Sequence, residues 1–145
     1  MTTIDFYFNA QDRLQVACRL AGKAVTRGKR LLIYAPQPET ASRIDKMLWT
    51  WPSIGFVPHC PAHDRLAAET PVLIGADEDA PEGCDLLLNL APDCPPHFAR
   101  FGRLLELVGL SDEEKASGRE RYRFYRDRGY AIVSHDLASG ARQDG

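Results

Sequence analysis

Apolar and polar side chains alternate at the start of the chain: Ile4, Phe6 and Phe8 fall on one side and Asp5 and Tyr7 on the other. This period of two predicts a strand with one face buried, ended by Asn9. From Asp12 the period changes. Leu14, Ala17, Cys18, Ala21, Ala24 and Val25 recur at helical spacing, Arg13, Arg19 and Lys23 lie off that stripe, and Gly28 is a natural terminator. The continuous run Leu31 to Tyr34 predicts an inner strand covered on both faces, ended by the Pro36 to Pro38 segment. A second helix carries Ala41, Ile44, Met47 and Leu48 on one stripe and stops in Trp49-Thr50-Trp51-Pro52, where proline disfavours helix at Trp51. Val72 to Gly75 and Asp85 to Leu90 are two further strands. Pro95 and Pro96 suit a helix start, and Phe98, Phe101, Leu105 and Val108 continue at helical spacing, which predicts a helix to Gly109. Ser111 with Glu114 matches a capping box for a last helix reaching Gly129, before a final strand from Tyr130 to Val133.

Strands alternating with helices imply a three-layer α/β domain: a mostly parallel sheet of about five strands with helices on both faces. No repeat, low-complexity tract or linker divides the chain, so residues 1–137 are expected to form one domain and residues 138–145 a loose tail. No apolar run approaches the ~20 residues of a membrane span, and Met1 to Asp5 lacks the features of a signal peptide, so a cytoplasmic location is expected. In that setting Cys18, Cys60, Cys84 and Cys94 should be reduced, without a disulfide framework. A net charge of −2 argues against a protein that coats nucleic acid over its whole surface, while leaving room for a local basic patch.

The usual chemistry of such a fold is missing. The loop after the first strand, Asn9-Ala10-Gln11-Asp12, has no glycine to admit a phosphate, and Asp12 would repel one. No glycine-rich nucleotide fingerprint and no nucleophile elbow occurs, so no catalytic residue is assigned. His59, His63, His97 and His135 could each serve as a base, but no partner is specified for any of them. Cys60-Pro61-Ala62-His63 and Cys94-Pro95-Pro96-His97 form two Cys-x-x-His pairs able to supply four zinc ligands; coincidence in proline-rich loops is the preferred reading, and no cofactor is expected.

The last helix stands out. Arg119 to Arg128 packs five arginines and three aromatics into ten residues. Arg119, Tyr122, Arg123 and Arg126 share one helical face, extended by Lys115. The plain reading is a solvated face laced with Glu and Asp, with Phe124 or Tyr125 turned to the core. The functional one is a surface for an acidic peptide ending in an aromatic residue, or for single-stranded nucleic acid. A second candidate surface is Leu48-Trp49-Thr50-Trp51 with Phe56-Val57-Pro58-His59, aromatics on irregular backbone that serve either as interface anchors or as packing.

In their order and spacing, Leu48-Trp49, Phe56-Val57-Pro58-His59, Pro71-Val72, Asp85-Leu86-Leu87 and Arg119-x-x-Tyr122-Arg123-x-Tyr125-Arg126-x-x-Gly129-Tyr130 resemble the chi subunit family of DNA polymerase III. The resemblance covers nearly the whole chain. It implies a Rossmann-like fold without nucleotide chemistry and without intrinsic catalysis. It also implies a clamp-loader complex as context, the psi subunit as partner, and a pocket for the acidic, phenylalanine-ended C-terminal tail of single-stranded-DNA-binding protein. Carried over by position, the tail pocket would use Arg119, Tyr122 and Arg123, with Lys115 nearby and Val108 as apolar wall. The psi contact would fall on Trp49 and Phe56. Arg123 stands where the family also uses lysine, which keeps the cation. Two other readings are direct binding of single-stranded DNA by the arginine helix, and an α/β enzyme with zinc at Cys60, His63, Cys94 and His97.

Overall fold

The computed structural model describes residues 1–50, 57–76 and 79–139. Strand β1 (Thr3–Ala10) leads into helix α1 (Arg13–Thr26), β2 (Leu31–Tyr34), α2 (Pro38–Thr50), β3 (His59–Pro61), β4 (Val72–Gly75), β5 (Leu86–Asn89), β6 (Arg103–Gly109), α3 (Asp112–Asp127) and β7 (Ala131–Asp136). The strands form one all-parallel sheet in the order β3-β4-β2-β5-β6-β1-β7. Helices α1 and α2 pack on one face, over Ile33, Ile74, Leu88, Leu105 and Leu107. On the other, α3 covers Ile4, Phe6, Leu87 and Leu104, together with Phe98, Phe101 and Tyr125. The expected three-layer Rossmann-like α/β class is present, with seven strands in place of about five.

The two added strands are instructive. Residues 103–109, expected as the end of a helix starting near Pro95, form β6 instead; the helical part is reduced to a single 3-10 turn at Phe98–Arg100. Phe98, Phe101, Leu105 and Val108 fit a helical stripe, but every residue from Leu104 to Gly109 is buried, as in an inner strand covered on both faces. Glu106 interrupts the apolar run and disguised it. Strand β3 spans three residues, too few for any periodicity to register. Strand β1 is buried on both faces, against the expectation of one, because it lies between β6 and β7: Asp5 and Tyr7 are as hidden as Ile4 and Phe6.

Local chemistry sets the helix starts. Asp12 caps α1, its Oδ1 accepting from the backbone N–H of Leu14 at 3.1 Å and of Gln15 at 3.3 Å, which occupies the helix end that a phosphate would otherwise use. Ser111 Oγ accepts from Glu114 N at 3.1 Å, giving half of the expected capping box. The Glu114 carboxylate pairs instead with Arg13 Nε at 3.2 Å, tying α3 to the start of α1.

Helix α3 approaches β6 closely at Gly118, where an added Cβ would stand 2.7 Å from one methyl of Val108 and 3.0 Å from the other. Val108 is buried and stiff at χ1, so neither methyl can swing away. Gly118→Ala is expected to cost about 1–3 kcal/mol of stability by overpacking, read as a lower midpoint in urea unfolding.

All four cysteines are free. Burial pushes the thiols of Cys18 and Cys84 up to about 11, and that of Cys94 in the same direction. At pH 8 a thiol with that pKa is ionised in about one molecule in a thousand. Iodoacetamide should therefore leave Cys18 and Cys84 largely unmodified in the folded protein, label the more accessible Cys60 first, and modify all four in urea, as followed by peptide mass spectrometry.

Candidate functional site

The parallel register places Ile4, Phe6 and Phe8 of β1 beside Ile132, Ser134 and Asp136 of β7, all facing α3. Phe8 stacks on Phe6 with ring centroids 5.7 Å apart, and the half-buried Tyr122 leans onto both, at 5.2 Å from Phe6 and 6.5 Å from Phe8. Beside this aromatic step lie two adjoining depressions. One, of 380 Å³, is lined by Phe8, Arg119, Tyr122, Arg123, Arg126 and Ser134. The other, of 350 Å³, is bounded by Val108, Lys115, Arg119 and Asp136, with Phe8 again as part of its wall. Arg119 and Phe8 belong to both, so the two form a continuous groove. The structure thus brings together the five residues singled out on this helix and its neighbouring strand: Val108, Lys115, Arg119, Tyr122 and Arg123.

The cations are not equivalent. Arg123 pairs with Glu120 at 3.2 Å and Arg126 with Asp127 at 3.2 Å, both exposed and worth little to stability. The side chains of Lys115 and Arg119 have no ion pair or hydrogen bond among the described residues, and both residues are exposed. The one acid among the described residues of the lining, Asp136, accepts from Asn9 Nδ2 at 2.8 Å and from Ala138 N at 3.0 Å, bonds that hold its carboxyl below the usual range. The groove can therefore offer two uncommitted cations, two more that exchange partners easily, and an aromatic and aliphatic floor.

Arg121, on the same helix, plays a different part: it is buried. Its Nε donates to Glu106 Oε1 at 2.9 Å, and Tyr125 OH and Asn89 Nδ2 donate to the same carboxylate at 2.6 and 3.1 Å. Arg121 Nη1 reaches Pro92 O and Ser117 Oγ, which fastens α3 to the loop after β5. Burial pushes the Glu106 carboxyl up, against the opposing pull of Arg121 and the donors from Tyr125 and Asn89. Tyr125, fully buried against Phe6 and Phe98, is likewise pushed up by burial and by the Glu106 charge. This network and the contributions of Phe8, Asn9, Ser134 and Asp136 to the groove were missed from sequence. Glu106 within an apolar run was the signal for the first; strand register was needed for the second.

The second candidate surface is described in part. Trp49 is 56% exposed, with its ring 4.8 Å from that of His59. His59 Nδ1 donates to Val57 O at 2.6 Å and its Nε2 lies 3.2 Å from Asp45. Trp51 and Phe56 lie outside the described residues. Among the described residues no three His, Cys, Asp or Glu side chains stand together so as to hold an ion, so Cys60, His63, Cys94 and His97, the ligands of the alternative zinc reading, are not gathered into one site. Nor is any described helix long and apolar enough to cross a membrane.

The fold is Rossmann-like, carries no glycine-rich nucleotide fingerprint, and bears a cationic and aromatic groove on one face. The protein-family comparison sharpens this: residues 1–133 match the model described as DNA polymerase III chi subunit, HolC. The DNA polymerase III subunit chi of Pseudomonas aeruginosa is 36% identical over 141 residues, covering 94% of this chain and 98% of that one. The Escherichia coli protein of the same name is 31% identical over 119 residues, with 81% of each chain covered. The Haemophilus influenzae protein is 29% identical over 124 residues. The chain belongs to the DNA polymerase III chi subunit family. Among solved structures, Saccharomyces cerevisiae Dbp5 bound to RNA and ADP BeF3 superposes with a TM-score of 0.63 at 14% identity, covering 91% of this chain and 41% of that one. A Dbp5 C-terminal domain bound to Gle1 and IP6 gives 0.58 at 10% identity, with 91% and 90% covered. At such identities the likeness is one of fold alone. Membership places the chain among accessory subunits of a polymerase, in keeping with the absence of catalytic motifs from its sequence.

Proposed function

We propose that this chi-family subunit links the clamp-loader part of DNA polymerase III to single-stranded-DNA-binding protein, holding that protein's acidic C-terminal tail in the groove between α3, Phe8 and β7. Residues 1–137 act as one domain in this reading. The observation that carries it is the pair Lys115 and Arg119, whose exposed side chains have no partner among the described residues and which stand over a floor of Phe8, Tyr122 and Val108. Arg119 grips the terminal carboxylate, while Arg123 and Lys115 meet the preceding aspartates. The terminal phenylalanine ring lies on the aromatic step. Val108 closes the apolar side. The exposed Trp49 surface, with Phe56, docks the psi subunit.

Charge supplies reach and orientation and the apolar contact persists as salt rises, so affinity falls with salt without vanishing. Many tails on one coated strand would raise the avidity of a modest single contact. The test is titration of a fluorescent acidic peptide ending in phenylalanine into the full chain, beside the same peptide lacking its last residue. Saturable binding lost with the shortened peptide supports the reading; no binding of the complete peptide at moderate salt refutes it. Naked single-stranded DNA, the second reading for the same cations, should fail to displace the peptide, since the chain as a whole carries a net charge of −2. For the second surface, Trp49→Ala should abolish capture of the psi subunit with a melting temperature shifted by no more than a few degrees, because the indole is mostly exposed.

A further inference from the structure

Asp5 is a carboxylate in an inner strand, buried between Ile4 and Phe6. A charge hidden in this way costs stability unless it is paired. It is paired from both neighbouring strands: Arg103 Nη1 of β6 donates to its Oδ2, and His135 Nε2 of β7 lies 3.1 Å from its Oδ1. His135 also stacks on Tyr7, its register partner on β1, with ring centroids 4.4 Å apart and planes 11° from parallel. Asp5, Tyr7 and His135 lie together on the face of the sheet away from α3.

Strand β7 needs such an attachment. It lies at the edge of the sheet beside β1, and four of its six residues, Ala131, Val133, Ser134 and Asp136, are exposed. Among the described residues Ile132 is its one apolar side chain packed against the core under α3, so its hydrophobic pattern specifies the register weakly. A slip of one residue would turn Ser134 and Asp136 away from the groove and carry His135 to the α3 side, breaking both the bond to Asp5 and the stack on Tyr7. Those two contacts therefore favour the observed register over its neighbours.

We infer that His135, anchored on Asp5, is a positioning residue for the groove: it pins β7 from behind, so that Ser134 and Asp136 stand in the wall beside Phe8 and Arg119. A carboxylate in place of an apolar residue on β1 then has a use, since it fixes the pairing of a strand that hydrophobic burial alone leaves loosely defined. If the wall is in place for only part of the time, the apparent affinity for a ligand of the groove falls by that fraction. The link to binding rests on the groove being the seat of the acidic peptide, whereas the anchor itself is a property of the free chain.

The test compares wild type with His135→Ala and with His135→Gln, whose amide nitrogen reaches about as far as Nε2 and keeps a donor for Asp5. Hydrogen exchange of the β7 amides is followed on the free full chain. The fluorescent acidic peptide ending in phenylalanine is then titrated into each protein, well below every melting temperature, where a loss of global stability leaves the affinity unchanged. In His135→Ala the β7 amides should exchange at least roughly tenfold faster, a larger factor than for β2, and the peptide affinity should fall at least roughly threefold, as for a wall present a third of the time. His135→Gln should restore both to within about twofold. Wild-type exchange in His135→Ala, or a Gln variant as impaired as the Ala one, would overturn the anchor. Faster exchange in β7 with unaltered peptide affinity would overturn its positioning role. A wild-type protein that binds no peptide would instead refute the reading of the groove, and exchange would still decide the anchor.

Discussion

Arg119→Ala should weaken binding of an acidic, phenylalanine-ended peptide by roughly 10- to 100-fold, the loss of about 1.5–3 kcal/mol expected when a hydrogen bond to a charged group is removed. The size of the effect follows from position. Arg119 lines both halves of the groove, so its guanidinium can reach an anion on either side of Phe8. It has no acid to release first among the described residues, whereas Arg123 must leave Glu120. Arg123→Ala should accordingly cost less. Arg119→Lys keeps the charge but not the planar fork and should fall between wild type and alanine. Folding should be almost untouched, because the side chain is exposed and makes no bond to the rest of the described chain. Fluorescence anisotropy at fixed salt measures the affinities and thermal melting checks the fold. Unaltered affinity in Arg119→Ala would move the site elsewhere.

The second large effect concerns stability. Glu106→Ala leaves the Arg121 guanidinium buried without its counter-ion and strips an acceptor from Tyr125 and Asn89. Breaking one side of such a pair typically costs about 3–5 kcal/mol, a large share of the margin of a domain this size. Glu106→Gln retains an acceptor and should lose less. Replacing Glu106 and Arg121 together by leucine should cost less than the two single losses summed, because no unpaired charge remains. Urea unfolding of the two single variants and the double one measures this coupling; full additivity would mean that the buried bond contributes nothing. Since Arg121 also holds α3 to the loop after β5, loss of the pair should loosen the helix that carries the groove.

How much of this was legible in the sequence depended on the kind of interaction. Helix α1 was readable from a 3.6-residue stripe, and α3 from a capping pair three residues apart. Strands β2 and β4 were readable as short apolar runs. Strand β6 was misread because an apolar stripe can match a helix by chance when every residue is buried, and only pairing with β1 and β5 decides between the two. For the site, the shared face of Arg119, Tyr122, Arg123 and Lys115 followed from helix geometry alone, and Val108 entered through the family resemblance. The opposite wall did not. Phe8 and Asp136 reach the groove through a register between strands separated by more than a hundred residues, which no local pattern carries. Arg121 looked like one more solvated arginine because its partner, Glu106, sits on another element.

The strand order bears on how the molecule comes into being. Strand β1 leaves the ribosome first, yet its neighbours in the sheet, β6 and β7, start about a hundred residues or more further along. Strands β2 to β5 pair among themselves and can assemble while synthesis continues, whereas the N-terminal strand must wait unpaired, with its phenylalanines exposed, until nearly the whole chain has emerged. Phe8, Arg119 and Ser134 then meet in one closing step. A nascent or prematurely ended chain would have no groove to offer, so only finished molecules could compete for a partner.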